Sequence, residues 1–125
     1  MARKKTPGLT DAELKLMNVL WDQGGATVSR VVASLPQKPP LAYSTVLTTL
    51  RILENKGYAR HTKKGRAFVC RAVVGRDKAR QKAITHLLRR FFEGSPEALV
   101  LNLLEARKID AESLKRLRNR IEEEA

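Results

Sequence analysis

Cysteine is almost absent from this chain, which limits how its fold can be held together. Cys70 is the only cysteine among 125 residues. A single thiol cannot form an internal disulfide, and it is too few for the usual structural zinc site. We therefore expect apolar packing to stabilise the interior, with Cys70 as one small packed residue within it.

Membrane-spanning and secretory segments are missing as well. No run approaches the roughly 18 apolar residues that a membrane span requires. The first residues, 1–8, are basic and polar and contain no apolar signal core. The sequence therefore predicts a protein without membrane insertion that resides in a reducing cytoplasm.

Motifs for catalysis and for cofactor binding are also lacking. The sequence contains no glycine-rich phosphate loop, no His-Glu-x-x-His and no Gly-x-Ser-x-Gly. His61 and His86 have no carboxylate or cysteine cluster beside them in the sequence, so neither is expected to bind a metal. We predict a protein that is not an enzyme and that needs no cofactor.

Acidic residues are scarce relative to basic ones. The chain has 25 Lys and Arg against 13 Asp and Glu, which gives a net charge of +12. This excess indicates an anionic partner, and nucleic acid and an anionic membrane surface are the usual candidates. Residues 1–76 hold 14 basic and 4 acidic side chains, net +10, whereas residues 77–125 hold 11 and 9, net +2. The contact with the polyanion is therefore expected in the first part.

Capping residues and apolar spacing predict three helices in the first part. Thr10 and Glu13 fit a capping box at the start of a helix over 11–23, and Thr27 fits the N-cap of a helix of about two turns. A third helix is predicted over 43–56. The residues of the first and third helices that are expected in the core are Leu14, Met17, Val19, Leu20, Trp21, Val46, Leu50 and Leu53.

After the third helix the apolar period changes to two. Residues 58–62 and 66–72 are predicted strands, with Lys63-Lys64-Gly65 as the turn between them. Helix, short helix, longer helix and basic-tipped hairpin is the order of a winged helix-turn-helix. The expected fold class is therefore mainly α with a small β-hairpin, in which a winged helix-turn-helix domain over 1–76 precedes C-terminal dimerisation helices over 77–125.

The second part is predicted to be helical and too small to fold alone. One helix is expected over 77–93, Ser95 and Pro96 begin another, and Asp110 begins the last. Because so short a segment buries little apolar surface by itself, oligomerisation is the ordinary remedy, and we predict a homodimer. The residues expected at the dimer interface are Leu87, Leu88, Phe91, Phe92, Leu99, Leu103, Leu114, Leu117 and Ile121.

The third helix carries the side chains that are expected to read DNA. They are Tyr43, Ser44, Thr45, Leu47, Thr48, Arg51 and Asn55, with Ser44, Thr48, Arg51 and Asn55 on its outer face and Thr45 and Leu47 on the flanks of that face. In a major groove, Arg51 is suited to guanine and Asn55 to adenine. The hairpin is then a wing whose basic side chains contact the DNA backbone or the minor groove. These wing residues are His61, Lys63, Lys64 and Arg66.

Other functions remain open at this point. Taken singly, a polar helix face and a lysine-rich turn are typical of any solvated surface. Their combination with the charge of residues 1–76 favours binding to double-stranded DNA. An architectural protein that coats DNA without sequence preference is the main alternative. A basic protein of membrane surfaces is disfavoured, because it needs a basic amphipathic helix.

Five stretches share a pattern with a known group of bacterial regulators. They are residues 9–13, 17–21, 41–58, 65–70 and 99–102. In them the chain resembles the penicillinase and methicillin-resistance repressor family. The resemblance spans roughly 9–123 and implies a homodimeric winged-helix repressor, which binds a dyad-symmetric operator and dimerises through its C-terminal helices.

The resemblance also implies how repression is relieved. In the family, a membrane sensor protease that responds to β-lactams leads to cleavage of the repressor after an asparagine and before a phenylalanine. The matching positions here are Asn102 and Leu103, with leucine in the place of phenylalanine. The related copper-responsive repressors have a cysteine-rich C-terminal motif, and the lack of cysteine after Cys70 excludes copper sensing by that route.

Overall fold

The computed structural model of the chain describes residues 8–124, and the polar start at 1–7, which predicts no export signal, lies outside this range. The described part has the predicted fold class, with six helices and a three-stranded antiparallel sheet. No helix within it is long and apolar enough to span a bilayer. The elements are α1 (Asp11–Gln23), β1 (Ala26–Thr27), α2 (Val28–Ser34), α3 (Tyr43–Asn55), β2 (Ala59–Lys64), β3 (Ala67–Ala72), α4 (Arg76–Phe91), α5 (Pro96–Glu105) and α6 (Ala111–Glu124).

Local capping signals explain where four of the helices begin. The Thr10 hydroxyl accepts the Glu13 N–H at 3.2 Å and a Glu13 carboxylate oxygen accepts the Thr10 N–H at 2.8 Å, which confirms the predicted capping box. Thr27, Ser95 and Asp110 each accept the backbone N–H three residues further on. These side chains satisfy N–H groups that have no partner within the helix, so they fix the starts of α2, α5 and α6.

Two compact units divide the chain, the first ending at Ala83 and the second beginning at Ile84. The predicted core positions Val46, Leu50 and Leu53 are buried in the first unit, as expected. The first two turns of α4 belong to this unit, because Ala79 is buried in its core. The largest side chains that are fully buried there are Leu16, Met17, Leu20, Leu53, Val31 and Val46.

The apolar stripe of α1 differs from the predicted one at two positions. Leu14 is 41% exposed, whereas Leu16 is fully buried. The residues of α1 that share the inner face follow the helical spacing 13, 16, 17 and 20, and Leu14 lies about 100° around the helix from Glu13. Trp21 lies at the edge of the core, where its indole N–H donates to the Val74 carbonyl at 2.9 Å.

The hairpin is confirmed, but its turn is one residue shorter than predicted and begins two residues later. Lys64 pairs with Ala67, which leaves the two-residue loop Gly65-Arg66 in place of Lys63-Lys64-Gly65. Gly65 has φ +63°, a backbone conformation that glycine adopts without steric cost, and two-residue loops match the twist of paired strands. The first strand therefore extends two residues further toward the tip than predicted, whereas the second begins one residue later than predicted.

A short third strand completes the sheet and was not predicted. In β1, Ala26 pairs with Cys70 and Thr27 pairs with Val69, giving the strand order β1-β3-β2. The two residues follow Gly25, and the second of them, Thr27, is itself the N-cap of α2, so no apolar period marks them as a strand. Cys70 is buried as predicted, and this burial raises the pKa of its thiol.

The second unit contains no buried residue between Ile84 and Glu124. Helix α4 ends at Phe91, two residues before the predicted end, and Glu93 and Gly94 follow it with positive φ. Helix α5 is mostly apolar and α6 is amphipathic, yet neither helix has a buried side chain. This part of the chain therefore buries none of its apolar side chains fully.

Candidate nucleic-acid interface

Helix α3 presents the predicted recognition face to solvent. The buried side chains of Val46, Leu50 and Leu53 fix the inner face of the helix against the core. The predicted residues on the other side are therefore directed outward, and Leu47 is half-buried at the edge. The exposed ones are Tyr43, Ser44, Thr45, Thr48, Arg51 and Asn55.

The N-terminus of α3 differs from those of its neighbours in how it is capped. Its N-cap residue is Ala42, and no side-chain hydrogen bond caps this helix in the described part of the chain. Helices α1, α2 and α5 are capped by a hydroxyl. Uncapped N–H groups at a helix N-terminus favour an anion such as a DNA phosphate. The small residues Ser44 and Thr45 in this first turn allow a close approach.

The wing carries its basic residues in a defined register. Lys63 pairs with Phe68, and Lys64 pairs with Ala67, so both lysines lie in β2 rather than in the turn. Successive residues of a strand point to opposite faces, and the two lysines therefore extend to opposite sides of the hairpin. Arg66 lies in the turn itself and is exposed.

A contact between Glu54 and His61 joins α3 to the wing. The His61 Nδ1 lies 2.7 Å from a Glu54 carboxylate oxygen, and the Phe68 ring meets the imidazole edge-on at a centroid distance of 5.2 Å. A cleft of about 460 Å³ lies between the helix and the hairpin here. Sequence reasoning placed His61 in the wing but missed Glu54, because no pattern indicates a pair between a helix and the following strand.

The charges on this face are almost all positive. Arg51, Lys63, Lys64 and Arg66 have no ion-pair partner among residues 8–124, and all four are exposed. Glu54 is the one acidic side chain of α3, and it is paired with His61. Cations without protein counterions can neutralise phosphates, so the surface suits a polyanion.

Replacing Lys64 with alanine should weaken binding to every DNA sequence alike. If Lys64 contacts one phosphate, its loss should reduce the slope of log affinity against log salt concentration by about 0.9. Fluorescence anisotropy of a labelled duplex at several salt concentrations measures this slope. Lys108→Ala, in the exposed turn between α5 and α6, is the matched control and should leave it unchanged. An unaltered slope for Lys64→Ala would remove this residue from the contact surface.

The predicted dimerisation residues lie on uncovered faces of the second unit. Phe91 is 65% exposed, Leu117 49% and Ile121 68%, and Leu87 and Leu114 are exposed as well. The half-buried members of the set are Leu88, Phe92, Leu99 and Leu103. Large exposed apolar side chains in this number are typical of an interaction surface.

The predicted cleavage site lies inside α5. Asn102 is exposed and Leu103 is half-buried, three and two residues before the helix ends at Glu105. The Asn102 carbonyl accepts the Ala106 N–H at 2.9 Å, and the Leu103 carbonyl accepts the Lys108 N–H at 2.9 Å. A protease that acts here has to open the last turn of α5 to reach the peptide bond.

Three residues outside the predicted set tie this surface to the rest of the first unit. The Lys56 ammonium lies 2.8 Å from the Glu13 carboxylate, and Tyr58 is buried beside this pair. Burial, with the Glu13 charge, raises the pKa of the Tyr58 hydroxyl. The capping box indicated Glu13 as a local residue, but nothing in the sequence pairs it with a lysine 43 positions away.

Known proteins match this chain over nearly its whole length. A family model described as Penicillinase repressor matches residues 9–123. The penicillinase repressor of Bacillus licheniformis is 31% identical over 120 residues, which cover 96% of this chain and 94% of that protein. The methicillin resistance regulatory protein MecI of Staphylococcus aureus is 23% identical over 115 residues, with coverages of 92% and 94%.

A solved structure matches the first part of the chain. The solution structure of the DNA binding domain of the repressor BlaI has a TM-score of 0.52 and 32% identity, and it covers 61% of this chain and 93% of that domain. The match confirms the winged-helix architecture that the order of helices and strands predicts.

Proposed function

Because the chain belongs to the penicillinase repressor family, we propose that it acts as a cytoplasmic homodimer that represses transcription from a palindromic operator. It is a DNA-binding winged-helix repressor of the same type as its relatives. The proposal of a dimer rests on one observation, which is that no residue of the second unit from Ile84 to Glu124 is buried. A second copy of the chain supplies the missing cover.

Helix α3 is proposed to enter the major groove. Arg51 has the planar fork that donates to guanine, and Asn55 has the amide that pairs with adenine. Thr48, about one turn before Arg51, is proposed to contact a base edge, and Leu47 to contact a thymine methyl group. The uncapped first turn, with Tyr43, Ser44 and Thr45, is proposed to lie against a phosphate. These contacts give the base preference that charge alone cannot give.

The wing is proposed to contribute affinity rather than sequence preference. Lys63 and Lys64 extend to opposite faces of the hairpin, so the two can reach phosphates on either side of a groove. Arg66 at the tip is placed to enter the minor groove. His61 contacts Glu54, and we propose that it holds the wing against α3 while contributing to the wing surface.

Dimerisation is proposed to couple two half-sites. Each subunit reads one half of the operator, and the dimer fixes the spacing between the two recognition helices. The second contact then forms within an already bound complex, which raises the overall affinity without any new protein–DNA contact. The apolar faces of α5 and α6 are the surfaces that this arrangement requires.

Relief of repression is proposed to follow cleavage between Asn102 and Leu103. The cut removes α6 and the end of α5, and with them the exposed apolar side chains of Leu114, Leu117 and Ile121. The proposed agent is a membrane sensor protease, or a protease associated with it, that responds to a signal such as a β-lactam. Repression then ends without any ligand touching the DNA-binding face.

Sedimentation equilibrium tests the dimer. The full chain should have twice the 14.1 kDa mass of one copy. Leu117→Glu places a charge on the exposed apolar stripe of α6 and should shift the equilibrium toward single chains. Asn119→Glu introduces the same charge on the other side of the helix and should leave the dimer intact. A full chain that sediments as a monomer at micromolar concentration would contradict the proposal.

A further inference from the structure

A buried ion pair lies where the recognition helix passes into the wing. The Lys56 ammonium is 2.8 Å from a Glu13 carboxylate oxygen, and the two side chains are 8% and 6% exposed. Desolvating two charges is costly, and a buried pair often adds no net stability compared with apolar residues of similar size. A contribution to folding stability therefore does not by itself explain why an ion pair occupies this position.

The geometry of the pair is closely specified. The Lys56 ammonium donates to the Glu13 carboxylate and also to the Gly8 carbonyl at 3.1 Å. The same carboxylate oxygen accepts the Thr10 N–H of the capping box. Burial acts to raise the pKa of Glu13, but the hydrogen bonds from Lys56 and Thr10 and the lysine charge outweigh it and lower this pKa. Glu13 is thus held as a carboxylate that fixes one position for the lysine.

Lys56 is placed at the junction of the two DNA-contacting elements. It follows the last residue of α3, Asn55, and lies three residues before the start of β2 at Ala59. Between them, the buried Tyr58 donates its N–H to the Leu53 carbonyl at 2.9 Å and accepts the Val73 N–H at 2.8 Å. The end of α3 and the base of the wing are therefore anchored together to the first turn of α1.

An angular error at this junction has a large effect at the other end of the helix. Helix α3 has 13 residues, and at 1.5 Å per residue its length is about 20 Å. A tilt of about 5° at Lys56 would move the N-terminus of α3 by about 1.7 Å. Base readout depends on hydrogen bonds that tolerate displacements of about 0.5 Å. Nonspecific electrostatic attraction to phosphates tolerates much larger displacements, because it has no fixed direction.

We propose that Glu13 and Lys56 are positioning residues for DNA recognition, because their ion pair sets the angle of the recognition helix and the wing relative to α1. This inference rests on the proposed operator-specific binding. Loss of the pair should lower the preference for the operator more than it lowers affinity for DNA in general. A directional pair defines one orientation, whereas apolar packing at the same place does not.

A double-variant cycle separates positioning from stability. Glu13→Gln and Lys56→Met each leave one buried charge unpaired and should lower the melting temperature. The double variant removes both charges and keeps an amide that can complete the capping box, so it should recover most of the stability. Asp22→Asn breaks the exposed pair between Asp22 of α1 and Arg76 of α4, which involves neither α3 nor the wing, and is the matched control.

The measurement compares affinity for two DNA duplexes. One is selected from a random-sequence pool by the native chain, and the other is a scrambled duplex of the same composition. In the double variant the affinity ratio should fall at least about tenfold while affinity for the scrambled duplex stays within about twofold, and Asp22→Asn should keep the native ratio. The first duplex is selected by the native chain. The ratio of the native chain's affinities for the selected and the scrambled duplex therefore tests sequence-specific binding separately from the role of the ion pair.

Two outcomes would overturn the inference. A double variant that keeps the native ratio would show that the pair has a structural role only. A double variant that loses affinity for both duplexes in proportion would show that it affects binding in general rather than recognition. A native chain that selects no sequence would instead overturn the proposed operator-specific function, and this inference with it.

Discussion

A chain that ends at Asn102 should bind its operator at least about 100-fold more weakly than the full chain. The truncation removes α6 and the last residues of α5, which carry Leu103, Leu117 and Ile121. Without the dimer, the second half-site contact becomes a separate bimolecular event, and linked binding is worth about 100- to 10,000-fold. The DNA-binding unit itself should remain folded, because every buried apolar residue among residues 8–124 lies between Leu16 and Ala79.

Anisotropy titrations with the selected duplex measure this loss. A duplex that carries a single half-site provides the control, because the truncated and full chains should bind it with affinities that differ little. Circular dichroism of the truncated chain establishes that the first unit is folded. Equal affinity of the two chains for the complete operator would mean that binding does not depend on residues 103–125, and the proposed relief by cleavage would fail.

Arg51→Ala should lose affinity at one base pair of each half-site. A bidentate arginine–guanine contact is worth roughly 1 to 3 kcal/mol of discrimination, which corresponds to about 5- to 150-fold in affinity. Arg51 is exposed on the outer face of α3 and has no ion-pair partner among residues 8–124, so its guanidinium needs no release before it contacts a base. The loss should vanish on duplexes in which that guanine is already replaced.

Arg51→Lys is the informative companion variant. It keeps the positive charge but loses the planar fork, so it should retain nonspecific affinity while relaxing the base preference. Competition of singly substituted duplexes against the operator gives the preference at each position. If Arg51→Ala weakens binding to all of these duplexes by the same factor, then Arg51 contacts the backbone and does not read a base.

Much of the fold can be predicted from the sequence because its signals are local. Thr10, Thr27, Ser95 and Asp110 each act on an N–H three residues away, so the helix starts are encoded within a few positions. The burial of Val46, Leu50 and Leu53 follows from the helical period. The outward direction of the predicted recognition face follows from the same period.

Features that join distant parts of the chain could not be predicted in this way. Strand β1 is defined by its pairing with β3 more than 40 residues later, and its two residues show no period. Glu13 and Lys56 are 43 residues apart. The exact turn of the wing depends on how β2 and β3 pair. Lys64 pairs with Ala67, so that Gly65, with its positive φ, begins the loop, and composition alone does not reveal this register.

We propose that two copies of the chain bind one palindrome through paired recognition helices. Footprinting of the selected duplex, together with the mass of the complex, tests it most directly in the presence of excess random DNA. We predict two chains per duplex and two protected half-sites whose centres are about one helical turn, or a multiple of it, apart. Uniform protection of any duplex, with bound mass that grows with DNA length, would contradict the claim and identify an architectural protein that coats DNA.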